Sequence, residues 1–265
     1  MNTQFALTAS QVEHFRTEGW LALDTFWTPN ELRAIRQELQ RLQDENKLRN
    51  VATDGDGKTP SAKDLNLQLV PMSPHSRLFA TMPFAPKAAH TAAQLIGQPM
   101  ALHLDQVFLK PARHGSGTNW HQDNAYFKLS HPMHGTAMWT AVHDASKSNG
   151  TLRVIPHTFH EKLEHGRDPM SDHHIRCYPD ESRAVDVEVP AGGVVFFCYG
   201  TPHATGPNMS NEARAGIAIH YLRYEEVERG AALMEHHDPK KRLVVDAEGV
   251  TGRPDKAEEW ARLTA

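Results

Sequence analysis

The spacing of apolar residues is helical in the early part of the chain and strand-like through most of the remainder. Residues 8–18 have a short helical pattern that Thr8 or Ser10 can cap and Gly19 stops. Residues 20–23 (Trp-Leu-Ala-Leu) then predict a strand. The clearest helix opens at Thr28 as N-cap, with Pro29 at the first helical position and Glu31 completing a capping box. Leu32, Ile35, Leu39 and Leu42 make one apolar stripe on a charged segment reaching about Lys47, the pattern of a helix laid on a larger body. A coiled-coil partner helix is disfavoured because the repeat does not persist. Two short helical stretches come next, at 77–82 and 86–96, the second ending at Gly97.

From Met100 the period becomes two. Leu102, Leu104, Gln106, Phe108 and Lys110 share one face of a predicted strand, His103, Asp105, Val107 and Leu109 the other, and Pro111 ends it. Further strands are predicted at 136–142, 151–155, 185–189, 194–198 and 214–221, between loops rich in Gly, Pro, Asn or Asp. Strands in series without long helices between them predict an antiparallel sandwich or barrel, not a doubly wound sheet. The chain shows no internal repeat and no low-complexity linker. The expectation is one domain, mainly β with flanking helices. It has a helical part over about 1–97, a β core over about 100–224 and a charged, partly helical extension over about 225–265 packed across the outside.

Composition narrows the function classes. The 265 residues are 39% hydrophobic, enough for a sizeable core, and 23% charged, ordinary for a soluble protein. The net charge of -4 argues against a nucleic-acid or polybasic membrane surface. No apolar run reaches membrane-spanning length, and the N-terminus lacks a secretory pattern. Cys177 and Cys198 make neither a disulfide framework nor a zinc ribbon, so a reduced, cytoplasmic chain is expected. With 18 histidines, most must be surface or structural. His131/His134 and His173–His174 have no third ligand at a recognisable spacing and read as loop residues. Residues 54–58 resemble a fragment of a calcium loop, but the required Glu is missing, so they too read as loop.

The candidate chemistry starts at residues 119–124, Asn-Trp-His-Gln-Asp-Asn. On a strand, His121 and Asp123 point to the same side and can share one ion. Alone, a His-x-Asp pair defines nothing. A second histidine, His203, is delivered to the end of the apolar strand 194–198 by a Gly/Pro turn. Two histidines and one carboxylate on one face of an ion leave the opposite face open, which suits Fe(II) enzymes that bind a cosubstrate and dioxygen. Zinc accepts the same donors. Arg214 stands eleven residues further on, with the tiny Gly216 and Ala218 on its own face and Ile217, Ile219 and Tyr221 on the other. That pattern leaves a cavity ending in a guanidinium, matched to a carboxylate, and Thr205 can add a hydroxyl. The competing reading of Arg214 is a surface salt bridge.

His121, Asp123, His203, Thr205 and Arg214 at these spacings resemble the phytanoyl-CoA dioxygenase family of Fe(II)/2-oxoglutarate-dependent oxygenases. Asp105-Gln106 with Lys110-Pro111, Trp139 in its strand, residues 149–156 and Gly206-Pro207-Asn208 extend the resemblance over about residues 5–224. One departure is His157-Thr158-Phe159-His160, where the family usually has Gly-Ser-His, which leaves that loop's shape open. The resemblance implies a double-stranded β-helix (jelly roll, cupin-like) with Fe(II) held by His121, Asp123 and His203. It further implies 2-oxoglutarate chelating the iron and pairing with Arg214, Thr205 assisting, and Gln106 and Trp139 as pocket walls. O2 would be consumed, with release of succinate and CO2. The Asp123 carboxylate favours hydroxylation over halogenation.

A zinc-type hydrolase or isomerase would explain the histidines and Asp123 but not Arg214 with its small neighbours. A non-catalytic metal-binding jelly roll is disfavoured because nothing in the ligand set looks degenerate. Lys110, Asn124, Tyr126 and Phe127 are candidates for the substrate side, against a plainer reading as packing aromatics and a solvated lysine. Residues 157–180 could form a lid. Their histidines, with Arg167 and Arg176, would favour an anionic substrate or lie in a solvated loop. The expected partner is a small secondary metabolite or amino-acid-like compound, with no nucleic acid, membrane or obligate protein partner.

Overall fold

The computed structural model describes residues 5–231 and 242–265. Its first elements obey their end signals. Helix α1 (Ala9–Glu18) has a reciprocal capping box between Thr8 and Gln11 and ends on Gly19 in the left-handed conformation. Strand β1 (Trp20–Leu23) comes next, then α2 (Pro29–Asp44) with the Thr28–Glu31 box. Strands β2 (Arg49–Asn50) and β3 (Leu67–Leu69) are short. Residues 77–81 are turns leading into a 3-10 helix at Met82–Phe84, so the helix expected at 77–82 is a tighter coil shifted along the chain. Helix α3 (Pro86–Ile96) ends before Gly97 as expected.

The β half supplies β4 (Met100–Lys110), β5 (Thr118–His121), β6 (Gly135–Ala141), β7 (Leu152–Val154), β8 (Gly166–Arg167), β9 (Ile175–Arg176), β10 (Val185–Val187), β11 (Val194–Cys198), β12 (His203–Thr205) and β13 (Arg214–Arg223). With β14 (Leu243–Val245) they form two facing antiparallel layers and a small hairpin. The large sheet runs β1-β11-β6-β13-β4-β3-β2, with β14 also on β4; the smaller runs β10-β7-β12-β5; β8 pairs β9. Alternation assigns each strand two jobs. Ile217, Ile219 and Tyr221 of β13, with Phe196 and Met138, bury against Ile35, Leu39 and Leu42 of α2 and Ala88, Ala92 and Ile96 of α3. Ala218, Trp139 and Phe197 face Leu152 and Val154 of the smaller sheet. The helical apron thus backs one sheet face, and the other encloses a cavity between the sheets.

Two expectations need correction. Strand β4 does not keep one alternation throughout. Opposite β13, Leu104 pairs with His220 and Leu102 with Tyr221, which leaves His103 as an extra, bulged residue. Leu102 therefore joins Val107 and Leu109 in the helix-backed core, while Gln106, Phe108 and Lys110 face the cavity. The second correction concerns the C-terminal extension, which does more than cover the outside. Helix α5 (Tyr224–Glu228) continues from β13, and β14 adds to the large sheet. Helix α6 (Pro254–Leu263) drives Trp260 into the core, where its Nε1 donates to Glu31 at 3.0 Å.

Candidate active site

His121 ends β5 and Asp123 begins the short helix α4 (Asp123–Phe127), so the pair does not lie on one strand. Gln122 nevertheless stays extended (φ -114, ψ 130), which carries the alternation one residue past the strand end. Its own side chain points away and donates to the carbonyls of Glu161 (2.7 Å) and Gly200 (2.6 Å). Strand β12 lies beside β5 with His203 directly opposite His121. As a result His121 Nε2 and His203 Nε2 each stand 3.8 Å from Asp123 Oδ1. Backbone carbonyls turn both rings: His121 Nδ1 donates to Asn119 O (2.8 Å) and His203 Nδ1 to Thr201 O (3.0 Å). That choice of tautomer leaves both Nε2 lone pairs facing Asp123.

Burial sets the charges. It holds the His121 imidazole down to about 4 and His203 well below its ordinary value, so both are neutral donors at neutral pH. Burial pushes Asp123 up to about 7, and its Oδ2 has no hydrogen-bond partner. A divalent cation supplies the charge this carboxylate wants and the acid that neutral imidazoles want, so the residues fit Fe(II). One further group of potential ligands stands among the described residues. His134 Nδ1 is 2.7 Å from Glu226 and 3.3 Å from Glu225. This corrects the loop reading of His134, whose partners arrive from α5. Arg223 and Ser130 already satisfy those carboxylates, so the cluster is an ion-pair network.

The opposite end of the cavity is cationic. Arg214 and Lys110 face each other across β13 and β4, both fully buried. The Arg214 guanidinium donates to the carbonyls of Gly150 and Asn149 and lies over the Trp139 ring, 5.4 Å from its centroid. Lys110 Nζ donates to Thr205 Oγ1 (2.7 Å) and to the carbonyl of Gly206. Thr205 Oγ1 also accepts from the Thr118 N–H at 3.0 Å. All these acceptors are neutral, and among the described residues no carboxylate pairs with either cation. Burial, and then the neighbouring guanidinium, pulls Lys110 well below its ordinary value; burial pushes Arg214 down to about 10. Ala218 lines the cavity as its small size implied. Gly216 has a different use: a Cβ there would strike the Trp139 indole, so the glycine makes room for the ring that carries Arg214.

Gln106, Phe108 and His220 also line the cavity, His220 beside Asp123. Gln106 Nε2 is 3.2 Å from His220 Nε2, and its Oε1 accepts from Gln68 at 2.9 Å. Phe127 packs on His103 (ring centroids 4.3 Å) and Tyr199 (5.2 Å), and Tyr126 sits 6.0 Å from the His121 ring. Lys110, expected near substrate, lies instead at the Arg214 end. Asn124 is turned away, its amide closing on the Leu129 N–H (2.8 Å) and carbonyl (3.4 Å). His220 went unread in the sequence although the signal was present, since it is the next residue on the face of Arg214, Gly216 and Ala218. Gln68 sits on a three-residue strand with no pattern to mark it.

The stretch 157–180 is docked beside the metal motif. Asp168 accepts from Asn119 Nδ2 with both oxygens (3.0 Å), Cys177 N donates to Trp120 O (2.7 Å), and Ile175 N to Tyr126 Oη (2.8 Å). Arg167 donates to the carbonyls of Gly57 and Asp172, and Arg176 lies over Tyr178, so neither lines the cavity. The departing loop keeps a glycine-like geometry: His157 is left-handed (φ 62), with Nε2 3.0 Å from Glu18.

Facing antiparallel sheets make a double-stranded β-helix, and the two-histidine, one-carboxylate set between them suits a divalent metal. The model of the phytanoyl-CoA dioxygenase family matches residues 15–216, and the chain belongs to that family of Fe(II)/2-oxoglutarate-dependent oxygenases. Among curated relatives, ectoine dioxygenase of Halomonas elongata is 25% identical over 241 residues, covering 82% of this chain and 70% of the relative. Phytanoyl-CoA dioxygenase 1 of Oryza sativa subsp. japonica is 25% identical over 259 residues, covering 84% and 92%. The crystal structure of EctD from S. alaskensis with 2-oxoglutarate and 5-hydroxyectoine shares the fold at a TM-score of 0.67 and 19% identity, covering 85% of this chain and 79% of that one. No helix among the described residues is long and apolar enough to cross a membrane.

Proposed function

We propose that His121, Asp123 and His203 hold Fe(II), and that Arg214, Lys110 and Thr205 bind the distal carboxylate of 2-oxoglutarate, for hydroxylation of an unactivated C–H bond in a small-molecule metabolite. The observation that carries this reading is that one cavity has donors suited to a divalent cation at one end and two buried cations without a carboxylate at the other. Held by His121, Asp123 and His203, iron would supply the activation of O2 needed to oxidise substrate as 2-oxoglutarate gives succinate and CO2. The protein's part is placement. Asn119 and Thr201 carbonyls hold the imidazoles in the ligating tautomer. Trp139 holds the guanidinium plane, and Lys110 adds a second charge to the same anion. Phe108, Phe127 and Tyr126 would keep water from the substrate side, with Gln106 in the cavity wall.

Gln106, Phe108 and His220 line the cavity away from Arg214 and Lys110, and Arg167 and Arg176 are engaged elsewhere. This supports an uncharged or internally compensated metabolite over an anionic one. The curated relatives named ectoine dioxygenase support a small-molecule substrate. A cytoplasmic setting is consistent with two buried free cysteines. The test is anaerobic addition of Fe(II) and 2-oxoglutarate, which should develop a weak visible charge-transfer band, followed by succinate release across a metabolite panel on admitting air. A fully iron-loaded protein without the band would overturn the assignment in favour of hydrolytic or isomerase chemistry.

A further inference from the structure

His220 is buried on the cavity face of β13, and neither the iron ligation nor the cosubstrate contacts proposed for this chain involve it. Its Nδ1 has no hydrogen-bond partner and stands 3.6 Å from Asp123 Oδ2, which also has none. The two carboxylate oxygens therefore face different neighbours. Oδ1 is the one 3.8 Å from both ligand Nε2 atoms, and Oδ2 is the one turned to His220.

A neutral imidazole carries one proton, so the opposite ring nitrogen decides where it sits. His220 Nε2 meets Gln106 at 3.2 Å, and Gln106 meets Gln68 at 2.9 Å. Amides can be turned either way, so the row has two self-consistent directions. In one, Gln106 donates to Nε2, and Nδ1–H points at Asp123 Oδ2. In the other, Nε2–H donates to Gln106, and the Nδ1 lone pair confronts a carboxylate oxygen. The second sets two acceptors against each other in a buried site. The carboxylate end thus selects the first. Closing the 3.6 Å separation to charge-assisted hydrogen-bond length takes a movement of under about 1 Å.

We infer that His220 is a positioning residue: held in the Nδ1–H tautomer by Gln106 and Gln68, it donates to Oδ2 of Asp123 and so fixes Oδ1 on the metal. The inference rests on the iron reading. It names a donor from the facing sheet that would stop the carboxylate rotating.

Anaerobic Fe(II) titration, with Co(II) as a spectroscopic substitute, tests it without turnover. His220→Phe keeps the ring volume and removes the donor, and metal should bind about 10–100-fold more weakly. His220→Asn places an amide N–H near the lost Nδ1–H and should recover most of that affinity and the wild-type Co(II) spectrum. Gln106→Leu leaves His220 in place, frees its tautomer, and should give an intermediate loss. If His220→Phe fails to fold, the asparagine and Gln106→Leu variants decide alone, because a Gln106→Leu protein with wild-type affinity overturns the relay. Wild-type affinity in His220→Phe, or an asparagine variant as weak as the phenylalanine, also overturns it while leaving the iron reading intact. Wild-type protein that binds neither metal overturns both.

Discussion

The two ends of the cavity are both buried and both enclosed by the same strands, yet their electrostatics are opposite. At the Asp123 end, three imidazoles are neutral and a carboxylate is raised toward neutral pH for want of a positive neighbour. At the Arg214 end, two cations touch only carbonyls, a hydroxyl and an indole face. Each end carries an electrostatic cost within the chain itself. The difference teaches that the site is organised as a pair of complementary demands, one for a cation and one for an anion, set across one cavity.

The sharpest way to break that comparison is at Asp123. Asp123→Asn keeps the shape and removes the charge, so turnover should fall to background while the metal-free protein becomes more stable by about 1–3 kcal/mol. Thermal melts with and without Co(II) check both halves; a less stable metal-free variant would mean that Asp123 is already compensated. Arg214→Ala should raise the 2-oxoglutarate requirement about 100-fold with metal affinity unchanged, and Lys110→Met about tenfold, read as KM against kcat. A change in metal affinity in either would show that the ends are not separable. Gly216→Ala should push the Trp139 ring off Arg214, costing about 1–3 kcal/mol by denaturant melt and weakening 2-oxoglutarate more than metal.

The smallest effect on the site is expected from Glu31, remote from both ends. Burial opposes its ionisation, but hydrogen bonds from Lys87, the Thr28 N–H and Trp260 prevail and hold it below the usual carboxylate value. Its contribution is therefore present above about pH 4.5 and lost as pH falls through the lower folded-state value. Glu31→Ala should cost about 2 kcal/mol at neutral pH, less in acid, with both cofactor affinities intact.

Legibility in the sequence tracked the locality of the physics. Thr28, Pro29 and Glu31 announced α2 because a cap is a contact between neighbours in the chain. His121 and Asp123 were found for a reason only half right, since alternation survived through Gln122 although the strand did not. Arg214 was legible as a cavity end because small residues share its face. Trp139 filling the space over Gly216 was not, because the ring arrives from β6. The bulge at His103 inverted the face of Leu102 and comes from pairing between distant strands, which no local pattern encodes. Asn124 looked exposed to substrate by position alone, and a turn closed by its own amide removed it.

The placement of His121 opposite His203 has a consequence for folding fidelity. Their spacing is set by the distance between adjacent strands, so the ligand pair works as a gauge of β5–β12 alignment. A slip by one residue would turn one imidazole out of the cavity and leave its neighbour facing an amide or a methyl group. Metal would then discriminate between aligned and misaligned molecules as they form, retaining the first kind and leaving the second without the clamp that fastens the smaller sheet to α4.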